Sequence, residues 1–466
     1  MAGSAVKIPR ATCKVFGAIK ALSTVKRCAV LVHGPKGCVY HINYILGMRG
    51  DRPSEVYSTC LDEHDVIFGA EEKLTEAIEE IDASLHPDLI AVLSCCVSSI
   101  IGEDLNAAAR AASTSARVVG IEAGGFEGDF REGYSETLCR LVEEFVRGPP
   151  GEVRDRSVNL VGLLRGGPDL RELLRVLGLI GVRVNATLTA NAAVDDLERL
   201  GEAALNIVLC EPAGLVAAKL LEQVCGTPFI VADIPVGHAA TIRFLDSVAD
   251  ALGIGRYPLR DEGGDELCRE ALAGRRVAIV SGPTRAIGMT RFLADLGLAP
   301  SLIVVDFDPG NLERLSGLAG PGCEILVEPE QEVIRERLLA GRIDLIFGGM
   351  LERPLAASLG IEHLDMMHGS QRTLGFEGAK HIAEALTREK PGHSGRERRS
   401  GFEIRPGGAA AQLFFLSVPK VEWTLHGACL FYTTDAAAEK RGVGSRGRPR
   451  IIKKKNNKTR REQSMT

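Results

Sequence analysis

The sequence predicts an α/β protein of three Rossmann-like domains, each a doubly wound parallel sheet, placed around a central cleft and followed by a disordered basic C-terminal tail. Two observations predict this fold. Short apolar, β-branched runs alternate with segments of helical period along most of the chain, which is the pattern of parallel βαβ units. At 466 residues the chain also has room for about three units of roughly 150 residues.

Two stretches rich in glycine, proline or charge divide this alternating pattern into three groups, at residues 147–156 and 253–265. We therefore predict domains at residues 1–148, 157–255 and 266–388, and an irregular basic extension at 389–466. The predicted strands are residues 28–34, 89–95 and 116–123 in the first domain, 158–164, 182–188, 204–210 and 228–235 in the second, and 276–282, 301–307, 323–329 and 344–350 in the third.

These runs are mostly apolar, as expected for strands of parallel sheets. Each group closes with an amphipathic segment that predicts a helix, at residues 135–146, 239–252 and 377–386.

Composition excludes several classes of protein. The chain is 45% hydrophobic and 25% charged, and no apolar run approaches the ~20 residues that a membrane span needs. The first residues lack the apolar segment of a secretory signal, so we expect a cytoplasmic protein without a membrane partner. In that compartment the 12 cysteines are expected to be free thiols or cluster ligands rather than disulfides.

The net charge of −5 hides a strongly basic stretch at residues 441–463. Such a stretch can bind nucleic acid through phosphate contacts. No aromatic residues are interleaved with it, however, and no folded motif accompanies it. We therefore interpret it as a disordered, solubilising end rather than a nucleic-acid-binding segment.

Three cysteines are the strongest candidates for chemistry. Cys38 follows the first apolar run across a Gly-Pro-Lys-Gly turn, Cys96 follows the run at 89–93 ahead of a helix expected near Glu103, and Cys13 begins the same region. The carboxyl ends of parallel strands bind ligands, and thiolates gathered there can hold iron and sulfur. The wide spacing leaves the alternative open that all three are buried apolar side chains.

Neighbouring residues have more ordinary interpretations. Cys95 precedes Cys96, and on an extended segment only one of two successive side chains can face a common site. Cys60 is a candidate fourth ligand, while His33 is interpreted as a packed or hydrogen-bonding residue. The acidic residues 62–65 are expected to cap the helix that follows the FGAEEKL segment. No phosphate-binding loop of the G-x-x-x-x-G-K-[ST] type occurs, so ATP would have to act on a partner.

Four segments resemble, in order, motifs of nitrogenase component 1 proteins, the family of the molybdenum-iron protein subunits and their relatives. These segments read CKVFGAIKAL, HGPKGC, DVIFGAEEKL and CVSSIIGEDL. By this resemblance Cys13, Cys38 and Cys96 match the three cysteines that each subunit supplies to an iron–sulfur cluster at the subunit interface. The cluster implied is a 4Fe-4S or larger one.

The resemblance continues more loosely to about residue 387. The segment at 206–230 is similar to the one that carries a cysteine ligand of the family's catalytic cofactor, and the segment at 364–378 to the one that carries its histidine ligand. This places the catalytic and cofactor-binding roles on Cys210 and His368. Other segments depart from the catalytic alpha subunit, so the cleft is expected to hold a different metal cofactor or a tetrapyrrole.

The resemblance implies an iron–sulfur redox subunit of a nitrogenase-like complex, an oxidoreductase that reduces a substrate or cofactor in the cleft. Its partners would be an ATP-dependent, iron-protein-like reductase and a second component 1 subunit, either the same chain or a paralogue. Two alternatives within the family are a scaffold for nitrogenase cofactor assembly and a tetrapyrrole reductase subunit. A third alternative, outside the family, is a metal-free binding protein of periplasmic-receptor-like plan.

Overall fold

Three parallel sheets surrounded by helices make up the protein, and the predicted α/β fold is confirmed. The computed structural model describes residues 12–48, 55–148, 153–256, 264–307, 310, 312–367 and 370–388. These residues belong to one compact unit, and the predicted basic extension lies outside them. Among the described helices, none is long and apolar enough to cross a membrane.

The first sheet has four parallel strands in the order β2-β1-β3-β4. Its strands are β1 (Cys28–His33), β2 (Val56–Ser58), β3 (Leu89–Ser94) and β4 (Arg117–Ile121). Its helices are α1 (Lys14–Leu22), α2 (Lys36–Met48), α3 (Glu63–Phe68), α4 (Glu71–Leu85), α5 (Cys96–Ile101), α6 (Leu105–Ala111) and α7 (Phe130–Phe145). Strands β1 and β3 pair in register to their last residues, with His33 opposite Ser94. The helices that follow these two strands, α2 and α5, therefore begin side by side.

The second sheet has the order β6-β5-β7-β8, again with all strands parallel. Its strands are β5 (Arg154–Leu163), β6 (Arg183–Thr189), β7 (Ala203–Val208) and β8 (Phe229–Val231). Its helices are α8 (Pro168–Leu179), α9 (Val194–Glu198), a 3₁₀ turn (Leu200–Glu202), α10 (Glu211–Cys225) and α11 (Gly237–Leu252).

The third sheet has five parallel strands in the order β11-β10-β9-β12-β13. Its strands are β9 (Val277–Ser281), β10 (Leu302–Val305), β11 (Glu324–Val327), β12 (Leu345–Gly348) and β13 (Glu362–Asp365). Its helices are α12 (Gly264–Leu272), α13 (Pro283–Asp295), α14 (Leu312–Ala319), α15 (Gln331–Ala340), α16 (Arg353–Leu359) and α17 (Gly375–Thr387).

Every strand predicted from an apolar run is present, but two strands were missed. Strand β2 has only three residues and is half-buried, and β13 reads Glu-His-Leu-Asp and is half-buried along its length. Both lie at the edge of a sheet, where one side of the strand lacks a covering neighbour, so neither needs a continuous apolar run. The boundaries of the three predicted domains stay a prediction.

Hydrophobic cores join the sheets. One core combines α1, α7 and the first sheet with side chains of α10 such as Ala217 and Leu221, and a second combines α8 and α11 with the third sheet. The three sheets are therefore packed against each other through shared apolar side chains, whose removal from water is the main favourable term in folding.

Candidate functional site

Cys13 is held in place by a backbone contact between α1 and α7. It is the N-cap residue of α1 and forms an antiparallel bridge with Asp129, the N-cap of α7. The Phe130 amide donates to the carbonyl of Thr12 at 3.0 Å. The sulfur-bearing end of α1 is thus tied to the start of α7, while Cys13 itself is exposed.

Two glycines allow this close contact. A Cβ atom on Gly17 of α1 would lie 1.9 Å from the carbonyl oxygen of Phe130, and a Cβ on Gly133 of α7 would lie 1.9 Å from that of Lys14. No real Cβ contact is that short, so α1 and α7 approach as closely as they do only because both positions lack a side chain.

Cys38 and Cys96 begin neighbouring helices. The sequence suggested that Cys38 closes a turn, but α2 already begins at Lys36 and Cys38 lies in its first turn. Similarly, α5 begins at Cys96 itself and not near Glu103. Because β1 and β3 are adjacent, these two half-buried cysteines emerge at the same edge of the first sheet.

Cys95 also lies beside these cysteines, which the sequence did not predict. It is fully buried, and its amide donates to the Ser98 hydroxyl at 2.8 Å. The expectation that only one of two successive side chains can face a site assumes extended backbone, but Cys95 is extended and Cys96 is helical. Gly34 makes room for Cys95, because a Cβ at Gly34 would lie 2.4 Å from the Cys95 sulfur.

The described contacts bring these cysteines together. A Cβ placed on Gly125 would lie 2.8 Å from the Cys96 sulfur and 3.8 Å from the Cys13 sulfur, so both sulfurs lie within 4 Å of one point. A hydrogen bond with Cys95 is the largest cause that raises the pKa of Cys38, followed by burial. The negative charges of Cys95, Cys96 and Cys13 raise it further.

The thiols of this region are candidate metal ligands, and their role as cluster ligands stays a prediction. Among the described residues, no group of three or more His, Cys, Asp or Glu side chains is placed to hold a metal ion. The sulfurs of Cys13 and Cys96 lie near one point beside Gly125, and Cys13 is exposed. Cysteine thiolates are the usual ligands of iron–sulfur clusters. We name the four residues Cys13, Cys38, Cys95 and Cys96 the cysteine group.

The other candidates near the cysteine group have structural partners. His33 is buried, with Nδ1 3.0 Å from the Thr59 hydroxyl and Nε2 in contact with the Glu103 carboxylate, in agreement with its interpretation as a packed, hydrogen-bonded residue. Asp62 does cap a helix, accepting from the amides of residues 64 and 65, but that helix is α3 and not the predicted helix after the FGAEEKL segment. Cys60 is exposed, and its role as a fourth ligand stays a prediction.

A second site lies where the three sheets meet, in a cavity of about 210 Å³. Thr12, which precedes Cys13, and Phe130 of α7, whose amide donates to Thr12, both line the cavity, so the cavity adjoins the residue next to Cys13. Its described lining is Thr12, Lys20, Asp129, Phe130, Arg131, Gly162, Leu163, Leu164, Arg165, Asp169, Leu209, Cys210, Ala213, Ile234, Gly282, Pro283, Thr284, Arg285, Asp306, Phe307, Glu328, Met367 and Leu374.

Cys210 lines this cavity, and its role as a cofactor ligand stays a prediction. It follows β7 as the N-cap residue of α10 and is 5% exposed. Its sulfur accepts a hydrogen bond from the Thr284 hydroxyl at 3.0 Å. Burial raises the pKa of the Cys210 thiol, while hydrogen bonds from Thr284 and from the Ala213 amide act in the opposite direction. Deprotonation of the Cys210 thiol is therefore less favourable than that of a solvent-exposed cysteine.

The predicted partner of Cys210, His368, lies outside the described residues. Met367 before it and Leu374 after it both line the cavity. The Asp169 carboxylate accepts from the amides of Thr373 at 2.7 Å and Leu374 at 3.1 Å, and so joins the start of α8 to the segment before α17.

Sequence reasoning missed Asp169, Thr284 and Arg285. Arg285 lies 3.4 Å from Asp169 and also donates to the Thr373 hydroxyl. These residues belong to no short motif, because Asp169 reaches the cavity from α8 whereas Thr284 and Arg285 reach it from α13. The only sequence signal was their position just after a strand or at the start of a helix, where α/β proteins place functional side chains.

The fold and the two sites define an α/β protein with three parallel sheets, a group of cysteines at the edge of one sheet, and a cavity between the sheets with a buried thiol in its wall. Residues 13–389 match the family model described as nitrogenase component 1 type oxidoreductase. The chain therefore belongs to the nitrogenase component 1 family, and the resemblance noted in the sequence is confirmed.

Particular members of the family show how broad the similarity is. The chain is 30% identical to the nitrogenase iron-molybdenum cofactor biosynthesis protein NifE of Clostridium pasteurianum, over 81% of this chain and 87% of that protein. It is 27% identical to a subunit of the light-independent protochlorophyllide reductase of Methylobacterium sp. (strain 4-46), over 80% and 78% of the two chains. The solved structure of nitrogenase Cp1 at pH 6.5 shares the fold, with a TM-score of 0.73, 21% identity, and 83% and 94% of the two chains covered.

Proposed function

We propose that this chain is a metal–sulfur-binding subunit of a nitrogenase-like complex, and that it serves as a scaffold for assembly of a metal–sulfur cofactor held in the cavity. The observation that carries the proposal is that the buried thiol of Cys210 lines the cavity between the sheets, with the Thr284 hydroxyl donating to its sulfur. A thiolate in the cavity wall can ligate a metal–sulfur cluster. The similarity to NifE, which is named for cofactor biosynthesis, supports the same role.

The size of the cavity favours a compact occupant. Its volume of about 210 Å³ is below the roughly 300–1,000 Å³ of pockets for drug-sized ligands. A compact metal–sulfur cluster suits this space better than a flat tetrapyrrole. Thiolate sulfur is also a ligand that iron–sulfur clusters prefer.

Within this proposal, Cys13, Cys38 and Cys96 hold a second iron–sulfur cluster, which when bound would supply electron transfer. The residues fit the group, since their sulfurs are gathered and lie partly exposed. His368 would be the second ligand in the cavity. We place the protein in the cytoplasm, because the cysteines of the described part of the chain are free thiols.

A partner subunit would cover the cysteine group. Large apolar side chains close to its cysteines in the chain are exposed, and such surfaces mark interaction sites. They belong to α2, α3, α5 and the loop after β4, and are Tyr40, Tyr44, Ile67, Phe68, Ile100 and Phe126. We propose that a second component 1 chain, identical or paralogous, packs on these side chains and closes the cluster site.

A second candidate function is redox catalysis with an ATP-dependent, iron-protein-like reductase as partner. The observation that favours it is the contact between the two sites. Helices α1 and α7 begin beside Cys13, and Thr12 and Phe130 at the same place line the cavity. Electrons delivered to the cysteine group would have only this short stretch of packed protein to cross.

One anaerobic experiment separates these functions. Iron and acid-labile sulfide are measured in the purified chain and in a Cys210→Ala variant, and the loaded chain is then mixed with a cofactor-free component 1 acceptor. A scaffold should transfer labelled iron to the acceptor and consume no reductant when the reductase and ATP are added. Reductant consumption that depends on ATP would favour the redox subunit, and a protein without iron or sulfide would rule out both.

A further inference from the structure

Thr284 connects Cys210 to the third sheet. Cys210 belongs to the second sheet, at the end of β7, whereas Thr284 lies in the first turn of α13, directly after β9. Their side chains meet at the cavity wall, where the Thr284 hydroxyl donates to the Cys210 sulfur at 3.0 Å. The orientation of this sulfur therefore depends on a residue that is 74 positions away in the chain.

The backbone of Cys210 is fixed by other contacts. Its carbonyl accepts from the amides of Ala213 and Gly214 in the first turn of α10, at 3.2 and 2.8 Å. Gly162 of β5 has φ +77°, and a Cβ there would lie 3.1 Å from the Cys210 carbonyl oxygen. With the backbone held in this way, rotation of the side chain is the remaining freedom of the sulfur. Among the described residues, Thr284 supplies the hydroxyl that restrains this rotation.

We propose that Thr284 is a positioning residue, which holds the Cys210 sulfur toward the cavity and hydrogen-bonds it while it ligates a metal–sulfur cofactor. This inference rests on the proposed function of Cys210. Partners that hydrogen-bond a metal ligand orient it and tune the metal, and their loss typically costs about 10–100-fold in metal affinity. Because Thr284 lies on α13, which follows a strand of the third sheet, the affinity for the cofactor would also depend on how the second and third sheets pack.

The test compares Thr284→Val, which keeps the shape and removes the hydroxyl, with Thr284→Ser, which keeps the hydroxyl. Each full-length protein is reconstituted anaerobically with ferrous iron and sulfide and then titrated with a chelator. Iron held at the cavity is the difference between each protein and its Cys210→Ala counterpart. We expect Thr284→Val to hold this iron about 10–100-fold more weakly, and Thr284→Ser to stay close to the unmodified chain.

A matched control lies on the same helix. Thr290 is fully buried in α13, and its hydroxyl has no hydrogen-bond partner within the described part of the chain. Thr290→Val should leave the retained iron unchanged. A second readout, the reduction potential of the iron at the cavity, should move to more negative values in Thr284→Val and be restored by Thr284→Ser, because hydrogen bonds to sulfur set cluster potentials.

The possible results distinguish this inference from the proposed function on which it rests. If the unmodified chain holds more iron than Cys210→Ala but Thr284→Val matches the unmodified chain, Thr284 has no positioning role and the proposed function stands. Equal weakening by Thr284→Val and Thr284→Ser would also overturn the inference, since the hydroxyl would not be the cause. If Cys210→Ala holds as much iron as the unmodified chain, the proposed function fails and the inference fails with it.

Discussion

Substitution of Gly133 by alanine tests the contact that holds Cys13. The added methyl group would lie 1.9 Å from the carbonyl oxygen of Lys14 and 2.7 Å from its carbonyl carbon, whereas Cβ contacts under 3.0 Å essentially never occur. Helices α1 and α7 would have to separate by about 1 Å, and overpacking of this kind costs roughly 1–3 kcal/mol. Because the opposing atoms are backbone, which cannot rotate away, we expect a loss near the upper end of that range.

That loss is a large part of the roughly 5–15 kcal/mol by which proteins are stable. Urea unfolding followed by circular dichroism measures it, with Gly178→Ala as control. Gly178 is an exposed glycine of α8 whose added Cβ would meet nothing within 4 Å, so alanine there should stabilise the helix by up to about 1 kcal/mol. A Gly133→Ala protein that is as stable as the unmodified chain would refute the described packing of α1 against α7.

Three further predictions concern the cysteine group and one buried carboxylate. Cys38→Ala should abolish the visible charge-transfer absorption of the anaerobic protein, and retention of full iron content in that variant would contradict the cluster assignment. Gly125→Ala places a methyl group 2.8 Å from the Cys96 sulfur, so iron content should fall while circular dichroism stays close to that of the unmodified chain. Hydrogen bonds led by the Ser115 amide lower the pKa of Asp82, so its stabilising contribution is present above about pH 4 and is lost as pH falls through the lowered pKa. Asp82→Asn should therefore destabilise the protein at neutral pH and flatten its acid-unfolding curve, and an unchanged curve would show that Asp82 contributes nothing.

Most of the secondary structure could be predicted because it depends on local patterns. Central parallel strands such as β1 and β3 are buried on both faces and therefore consist of apolar residues over most of their length. Helix α11 was predicted at residues 239–252 and extends over Gly237–Leu252. The edge strand β13 escaped prediction, because a half-covered strand can be built from polar residues.

The candidate site was predictable only in part. The residue types and their order identified the family and its cysteines, and the position of Cys210 after a strand placed it at a ligand-binding edge. Nothing in the order of residues showed that Cys95 would join Cys38, since that depends on where helix α5 begins.

The sequence by itself determined the alternation of strands and helices, the membership of a family, and which thiols were available for chemistry. The tertiary structure alone decided which of those thiols meet and what surrounds them: Gly125 beside two sulfurs, and the Thr284 hydroxyl against Cys210. The physical reason is the separation along the chain over which each effect acts. Burial on a strand or helix is expressed within a few residues, whereas a hydrogen bond or a steric contact joins whatever atoms the packing of separate sheets brings within a few ångströms.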